Sequence, residues 1–221
     1  MIRIEAERKK VGRPALVTRE RLVDKGIEIT LPKLTMKGMA AALGVSEMSV
    51  FRNVGNLENL YLTVAEGICE RMELPDPTEF TTPREYLHRL SEDLLAQNVR
   101  YPGIAAYLSH LTPQSLSAFE LMDRLSSAYA QHFGWDLGAA SAAVNTITGT
   151  VVALSAQFAP EASTRLTVLQ VDEERFPALV AGSVFLKARP EYQVSSFSLT
   201  IEALMDGVFS RLGYSPEGLA L

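Results

Sequence analysis

Residues 35–61 read TMKGMAAALGVSEMSVFRNVGNLENLY, and this stretch restricts the fold more than any other part of the chain. Thr35 and Ser46 are residues that cap helix N-termini, the first ahead of Met36–Leu43 and the second ahead of Glu47 to about Val54. Gly44 suits the left-handed residue that closes a helix. Two short helices joined by so brief a turn must cross steeply, and the crossing sets its own residue demands. With Met36 as the first position, the fifth must be small where the helices touch, and it is Ala40. The ninth must tolerate positive φ, and it is Gly44. The fourth, eighth, tenth and fifteenth must fill a small apolar core, and they are Met39, Leu43, Val45 and Val50. An accidental helical hairpin would not need this combination, so the segment is expected to be a helix-turn-helix.

The remaining sequence reads as helices. Thr18 can cap a helix to about Thr30, interrupted by Pro32, and Asn56 can cap a fourth helix to about Met72. Further helices are expected near 83–99, 102–110, 113–132 and 136–158, with Pro83, Pro102 and Pro113 each in a first turn. A short helix is expected near Pro177–Leu186 in an irregular stretch, and a last one near Phe197–Leu212, with Gly213 just past its end. In that last helix Phe197, Ile201, Leu204, Met205, Val208, Phe209 and Leu212 are read as one apolar stripe. The expected fold is all-α: an N-terminal three-helix DNA-binding domain with the helix-turn-helix, and a C-terminal helical domain. The divisions are a basic arm over 1–17, a DNA-binding domain over 18–62 and the helical domain over 63–221. The proline-rich segment ELPDPTEFTTP, residues 73–83, is the one break in composition.

Charge is distributed unevenly. Residues 1–53 hold 11 Lys+Arg against 6 Asp+Glu, and residues 54–221 hold 10 against 20, so +5 and -10 give the overall -5. A basic head on an acidic body suggests that the head meets a polyanion; a solvated basic terminus is the plainer reading. No stretch approaches roughly 18 uninterrupted apolar residues, and MIRIEAERKK has no signal-peptide pattern, so a cytoplasmic protein without a membrane partner is expected. Cys69 is the sole cysteine, which excludes an internal disulfide and a cysteine metal cluster. His88, His110 and His132 have no metal-ligand spacing, and no catalytic cluster emerges, so neither metal, cofactor nor enzymatic activity is assigned.

In a helix-turn-helix the second helix enters the major groove by its N-terminal residues. Here that face would carry Glu47, Met48, Ser49 and Arg52: Arg52 for a guanine edge, Glu47 for a cytosine amine and Met48 for a thymine methyl. Thr35, Lys37, Ser46 and Asn53 are suited to phosphate. Arg13, in the arm ERKKVGRPALVTRE, could lie in a minor groove while Lys9 and Lys10 neutralise phosphate. A basic tail without function competes with that reading of the arm.

At these residues the chain resembles the TetR family of bacterial transcriptional repressors. The 35–61 segment is similar to that family's helix-turn-helix running into a fourth helix, and GRPALVTRERLVDKGIEI to its arm and first helix. TPREYLHRLSEDLLAQNVRYPG, DEERFPAL and FSLTIEALMDGVFSRLG resemble the regulatory domain of the tetracycline-repressor subgroup. The resemblance implies a homodimer joined by the last two long helices of each subunit. It also implies a pocket whose ligand alters the spacing of two DNA-reading heads. Phe51 stands where the family usually has a phosphate-touching tyrosine, and Leu57 where it often has a lysine. Tyr107 falls at the subgroup's metal-holding histidine, which argues against a magnesium–tetracycline ligand.

The helix near 136–158 bears on the ligand independently. Ser141, Asn145 and Thr148 share one face at i, i+4 and i+7, and a buried polar stripe needs partners that a ligand could supply. Bonds within the helix and to neighbouring side chains are the equally weighted alternative. Leu90, Leu94, Tyr107, His110, Met122 and Leu125 are the other candidate pocket residues, with His110 its polar group. The expected function is a ligand-responsive DNA-binding regulator: a homodimer on a palindromic double-stranded operator, released by a small apolar or amphipathic effector. A helical binding module or enzyme with a vestigial helix-turn-helix is the rival from another class, and a DNA-binding dimer without effector a third.

Overall fold

The computed structural model describes residues 16–155, 177–178, 181, 196–215 and 217–219. In chain order the helices are α1 (Arg19–Ile29), α2 (Met36–Leu43), α3 (Glu47–Val54), α4 (Leu57–Glu70), α5 (Pro83–Arg100), α6 (Ile104–Leu108), α7 (Leu116–Phe133), α8 (Leu137–Ser155) and α9 (Ser196–Leu212). The fold is all-α over the described residues, and short 3-10 turns cover Leu31–Lys33 and Pro77–Glu79.

Local chemistry starts the first four helices. Thr18, Thr35, Ser46 and Asn56 each accept a first-turn backbone N–H on the side-chain oxygen, satisfying a donor that the helix cannot. Gly44 closes α2 at φ 68°, ψ 35°, and the following amide, Val45 N, donates to Ala40 O at 3.0 Å. α5 begins with Pro83 in its first turn and a reciprocal capping box between Thr82 and Glu85.

α6 and α7 start later than expected. Gly103, at φ 92°, precedes α6, so Pro102 lies outside that helix. Pro113 lies in a turn closed by Ser115 N donating to Thr112 O at 2.9 Å, and α7 starts only at Leu116. Of the helix expected near Pro177–Leu186, only Pro177, Ala178 and Ala181 are among the described residues, each helical.

α1–α3 form the head around Leu22, Leu31, Met39, Leu43 and Val50, all buried, with α4 packed along α1. α5, α7, α8 and α9 form the body. Its densest part is aromatic: Tyr86, Tyr129, Phe133, Trp135 and Phe209 meet edge to face or tilted, and Tyr214 stacks on Trp135 at 3.5 Å between ring centroids. Arg84 pins α5 to α9 through Glu202 at 2.5 Å and through Asp206. One continuous helix, α4, crosses the expected border between residues 62 and 63, so head and body share an element.

The stripe expected on the last helix divides in two. Phe197, Ile201, Met205 and Phe209 are buried in the protomer, whereas Leu204, Val208 and Leu212 are only half-buried. These three, with Ala203 and Gly207, form a surface groove beside Ala142 and Thr146 of α8. α8 itself is long and apolar enough to cross a membrane by length and composition, and about a third of its apolar stretch is buried inside the protein. Ser141, Asn145, Thr146, Thr148 and Thr150 break its apolar run.

Candidate DNA-reading face and ligand cavity

α3 has two faces of opposite character. Val50 and Val54 are buried against the head core, while Glu47, Met48, Phe51, Arg52 and Asn53 are exposed. Met48 is 58% and Phe51 51% accessible, large apolar side chains left in solvent on a helix that could have buried them. Ser46 Oγ accepts Ser49 N at 3.3 Å and lies 2.9 Å from Ser49 Oγ; Thr35 Oγ1 accepts Gly38 N at 2.9 Å. Asn53 Nδ2 donates to Ser49 O at 2.8 Å. The hydroxyls of Thr35 and Ser46 are thus engaged as caps, and what they leave toward solvent is the positive end of each helix. Lys37 is exposed on α2, and Arg13 lies outside the described residues.

A cavity of about 390 Å3 opens in the body between α5, α7, α8 and the segments that follow α4 and α6. Its walls include Met72, Leu94, Leu108, Leu121, Met122, Leu125, Val144 and Val152. Ser109, Asn145 and Thr148 are the polar side chains among the described lining. That volume is within the range of roughly 300–1,000 Å3 usual for small-molecule sites.

Comparison with known proteins follows the fold rather than the sequence. No protein-family model and no curated protein matches the chain. Solved structures do. Apo ActR from Streptomyces coelicolor matches at TM-score 0.63 and 19% identity, over 89% of this chain and 98% of that one. SCO7222, a TetR from the same organism, matches at TM-score 0.64 and 15% identity, over 87% and 97%. A single-residue variant of TetR from Acinetobacter baumannii AYE, in complex with minocycline, matches at TM-score 0.53 and 18% identity, over 89% and 96%. The chain has the TetR-family fold. ActR has also been solved in complex with actinorhodin.

Within this TetR-like fold, α4 joins the two candidate sites. Glu66, 8% accessible, takes Tyr107 OH on Oε1 at 2.6 Å and Ser117 N on Oε2 at 2.6 Å. Burial, then the bond to Glu66, drives the Tyr107 phenol well above its ordinary pKa, so it remains a donor. One turn on, Glu70 accepts Arg19 at 2.7 and 2.8 Å and Ser117 Oγ at 3.0 Å. Ser117 is followed by Ala118, Leu121 and Met122 of the cavity wall, so two carboxylates of α4 grip the end of α7 that lines the cavity. Gly103 closes the other side of the joint: a Cβ there would lie 2.8 Å from Pro32 Cδ and 2.9 Å from Leu31 Cβ in the head. Cys69, on the same helix, is buried, and burial, followed by the charges of Glu66 and Glu70, pushes its thiol up to about 12, which leaves it inert as a nucleophile.

Of the residues expected around a ligand, Leu94, Met122, Leu125, Asn145 and Thr148 line the cavity. The others lie elsewhere. Leu90 is wholly buried in the core, and Tyr107 is held by Glu66. His110 is exposed, its Nδ1 3.1 Å from Ala106 O, so the expected polar pocket group sits at the surface. Ser141 stands behind Asn145 and accepts its Nδ2 at 3.0 Å. Sequence reasoning missed Met72, Leu108 and Leu111, which leave regular helices or end them, and Ser109, whose role depends on where α6 stops. It also missed Glu66, whose only signal was a carboxylate at an apolar helical position of α4.

Proposed function

We propose that the protein is a ligand-responsive DNA-binding transcriptional regulator, a cytoplasmic homodimer that represses from a palindromic operator and is released by a small apolar or amphipathic effector. The observation that carries this reading is α3: a helix at the end of a TetR-like fold, anchored by Val50 and Val54, with Glu47, Met48, Phe51 and Arg52 turned to solvent. In the major groove Arg52 would take a guanine edge, Glu47 a cytosine amine and Met48 a thymine methyl. Ser49 would pack beside them, with Phe51 against the sugar–phosphate wall. Lys37 and Asn53, with the N-terminal amides behind Thr35 and Ser46, would meet phosphate, and Arg13 the minor groove.

A dimer is supported by the second apolar face of α9. A helix that is apolar on two sides and, among the described residues, fully covered on one calls for a further partner, and the α8–α9 groove offers the half-buried Leu204, Val208 and Leu212 to a second copy. Two heads about 34 Å apart would then read successive major grooves. The effector would act by preferring the conformation whose heads are badly spaced. Pressure on Ala118 and Leu121 would move Ser117 and, through Glu66, tilt α4. Residues 1–17, 18–62 and 63–221 are the arm, the reading head and the effector and dimer domain in this scheme. The actinorhodin and minocycline complexes of ActR and TetR support a ligand in such a body.

Two exposed apolar residues at positions suited to phosphate, Phe51 and the 45% accessible Leu57, favour a second reading, a helical binding module or enzyme whose helix-turn-helix no longer reads DNA. One experiment separates them. A low-salt gel shift with the protein's own upstream DNA is expected to show binding that Arg13→Ala/Arg52→Ala weakens by roughly 5- to 100-fold. Unchanged affinity in the double variant favours the second reading, as does an unshifted fragment. A regulator without effector is tested by thermal shift against a metabolite library, where stabilisation by one compound excludes it.

A further inference from the structure

Among the described cavity lining, most hydrogens of the polar side chains are already engaged. Ser109 Oγ spends its hydrogen on Ala105 O at 2.8 Å, and Thr148 Oγ1 spends its own on Val144 O at 2.8 Å. Asn145 gives its amide nitrogen to Ser141 Oγ at 3.0 Å, and its Oδ1 is buried with no hydrogen-bond partner. The two hydroxyls therefore keep only lone pairs, and Asn145 keeps one amide N–H beside its unpartnered Oδ1. None of the described lining residues is ionisable. A ligand with a buried charge would lose its hydration with no opposite charge to replace it. A ligand offering only acceptors could use the one remaining Asn145 N–H but would leave Asn145 Oδ1 unsatisfied.

We infer that the cavity takes a neutral, mainly hydrocarbon molecule carrying at least one hydroxyl or N–H donor, which it hands to Asn145 Oδ1. This rests on the regulator reading only for its consequence, since the selectivity follows from the lining alone. The wall suits an aliphatic body: leucines, valines and alanines with two methionines, Met72 and Met122, whose unbranched side chains adapt to irregular shapes. The described lining offers no counter-charge to carboxylate ions, phosphate esters or metal chelates.

Four probes of one chain length test it: octan-1-ol, octyl methyl ether, octanoate and octylammonium, titrated into the full-length protein and followed by ligand-observed NMR. The alcohol is expected to bind roughly three- to tenfold tighter than the ether, the worth of one hydrogen bond, and both ions on the order of a hundredfold weaker than the alcohol. Asn145→Leu is expected to remove the alcohol's advantage over the ether while the ether still binds. Leu125→Trp and, independently, Ala118→Leu fill the space and are expected to weaken every probe. The inference is overturned by an ion that matches the alcohol, by an ether that equals it, by no binding of the alcohol, or by binding that both filling variants leave intact. A protein that ranks the probes as expected yet fails to shift DNA loses the regulator reading and keeps this one; one that shifts DNA and ranks them otherwise does the reverse.

Discussion

The helices of the head and the α6–α7 part of the body start by different means. In the head, Thr18, Thr35, Ser46 and Asn56 cap helices from within three residues of the amides they serve. In the body, α6 and α7 start without a side-chain cap of their own, and the first-turn amide of Ser117 is taken by Glu66, 51 residues away on α4. A locally capped unit keeps its shape whatever its neighbours do. A helix end held by a distant carboxylate moves when that carboxylate moves. The head is thus built to be carried as a rigid piece, and the α6–α7 part of the body to register a change and pass it on.

The sharpest way to break this contrast is Glu66→Ala. It strands Tyr107 OH and Ser117 N in a buried site, and unfolding in urea is expected to lose about 2–4 kcal/mol, since each stranded group costs roughly 1–3 kcal/mol. Glu66→Gln keeps an acceptor for Tyr107 and opposes an amide N–H to Ser117 N, so about half of that loss is expected. Backbone amide exchange should rise at the start of α7 and stay unchanged across α2–α3. Equal rises in both would mean that head and body form one cooperative unit and that the contrast is false.

The same contrast decides what was legible in the sequence. The helix-turn-helix was read to the residue, because Thr35, Gly44 and Ser46 act on amides a few positions away and Met39, Ala40, Leu43 and Val50 face one another across a single turn. α7 was misread by three residues, because Pro113 suits a first helical turn, whereas the group that receives the helix end, Glu66, belongs to another element. Five of the nine residues expected near a ligand line the cavity, those on the inward faces of α5, α7 and α8. His110 and Tyr107 depended on the exact length of α6, and the division of α9 into two apolar faces depended on which neighbours it meets. Periodicity reports that a face is apolar; it does not report what covers it.

Gly103→Ala probes the joint from the other side. Its φ of 92° is strained for any side chain, and a Cβ would press on Leu31 and Pro32 of the head. A loss of roughly 1–3 kcal/mol is expected in denaturant unfolding, with ligand affinity at the cavity changed less than DNA affinity. A pure loss of stability with both affinities intact would make Gly103 a packing residue and no part of the joint. Within the head, Gly44→Ala is expected to cost about 1–2 kcal/mol for its left-handed backbone, and Gly44→Asn clearly less, because asparagine tolerates that conformation. Here the DNA affinity should fall with stability while probe binding in the body is unmoved.

The smallest effect lies at the exposed edge of the joint, where Arg19 of the head meets Glu70. The bond from Arg19 holds the Glu70 carboxyl below its ordinary value of 4.5. A carboxyl whose folded pKa is depressed adds stability above the unfolded value, and that stability is lost as pH falls through the folded one. The pair is about half accessible on both sides, 51% and 44%, so solvent screening limits it to no more than about 0.2–1 kcal/mol. Arg19→Met should therefore be slightly less stable than the parent at neutral pH, and the two should converge as pH drops below 4.5. Added salt at neutral pH should narrow the same gap. Because Ser117 also bonds Glu70, a deficit that persisted unchanged into acid would assign the cost of Arg19→Met to lost packing of its aliphatic stem against α4, and would leave Glu66 to carry the link between α4 and the cavity wall at Ser117.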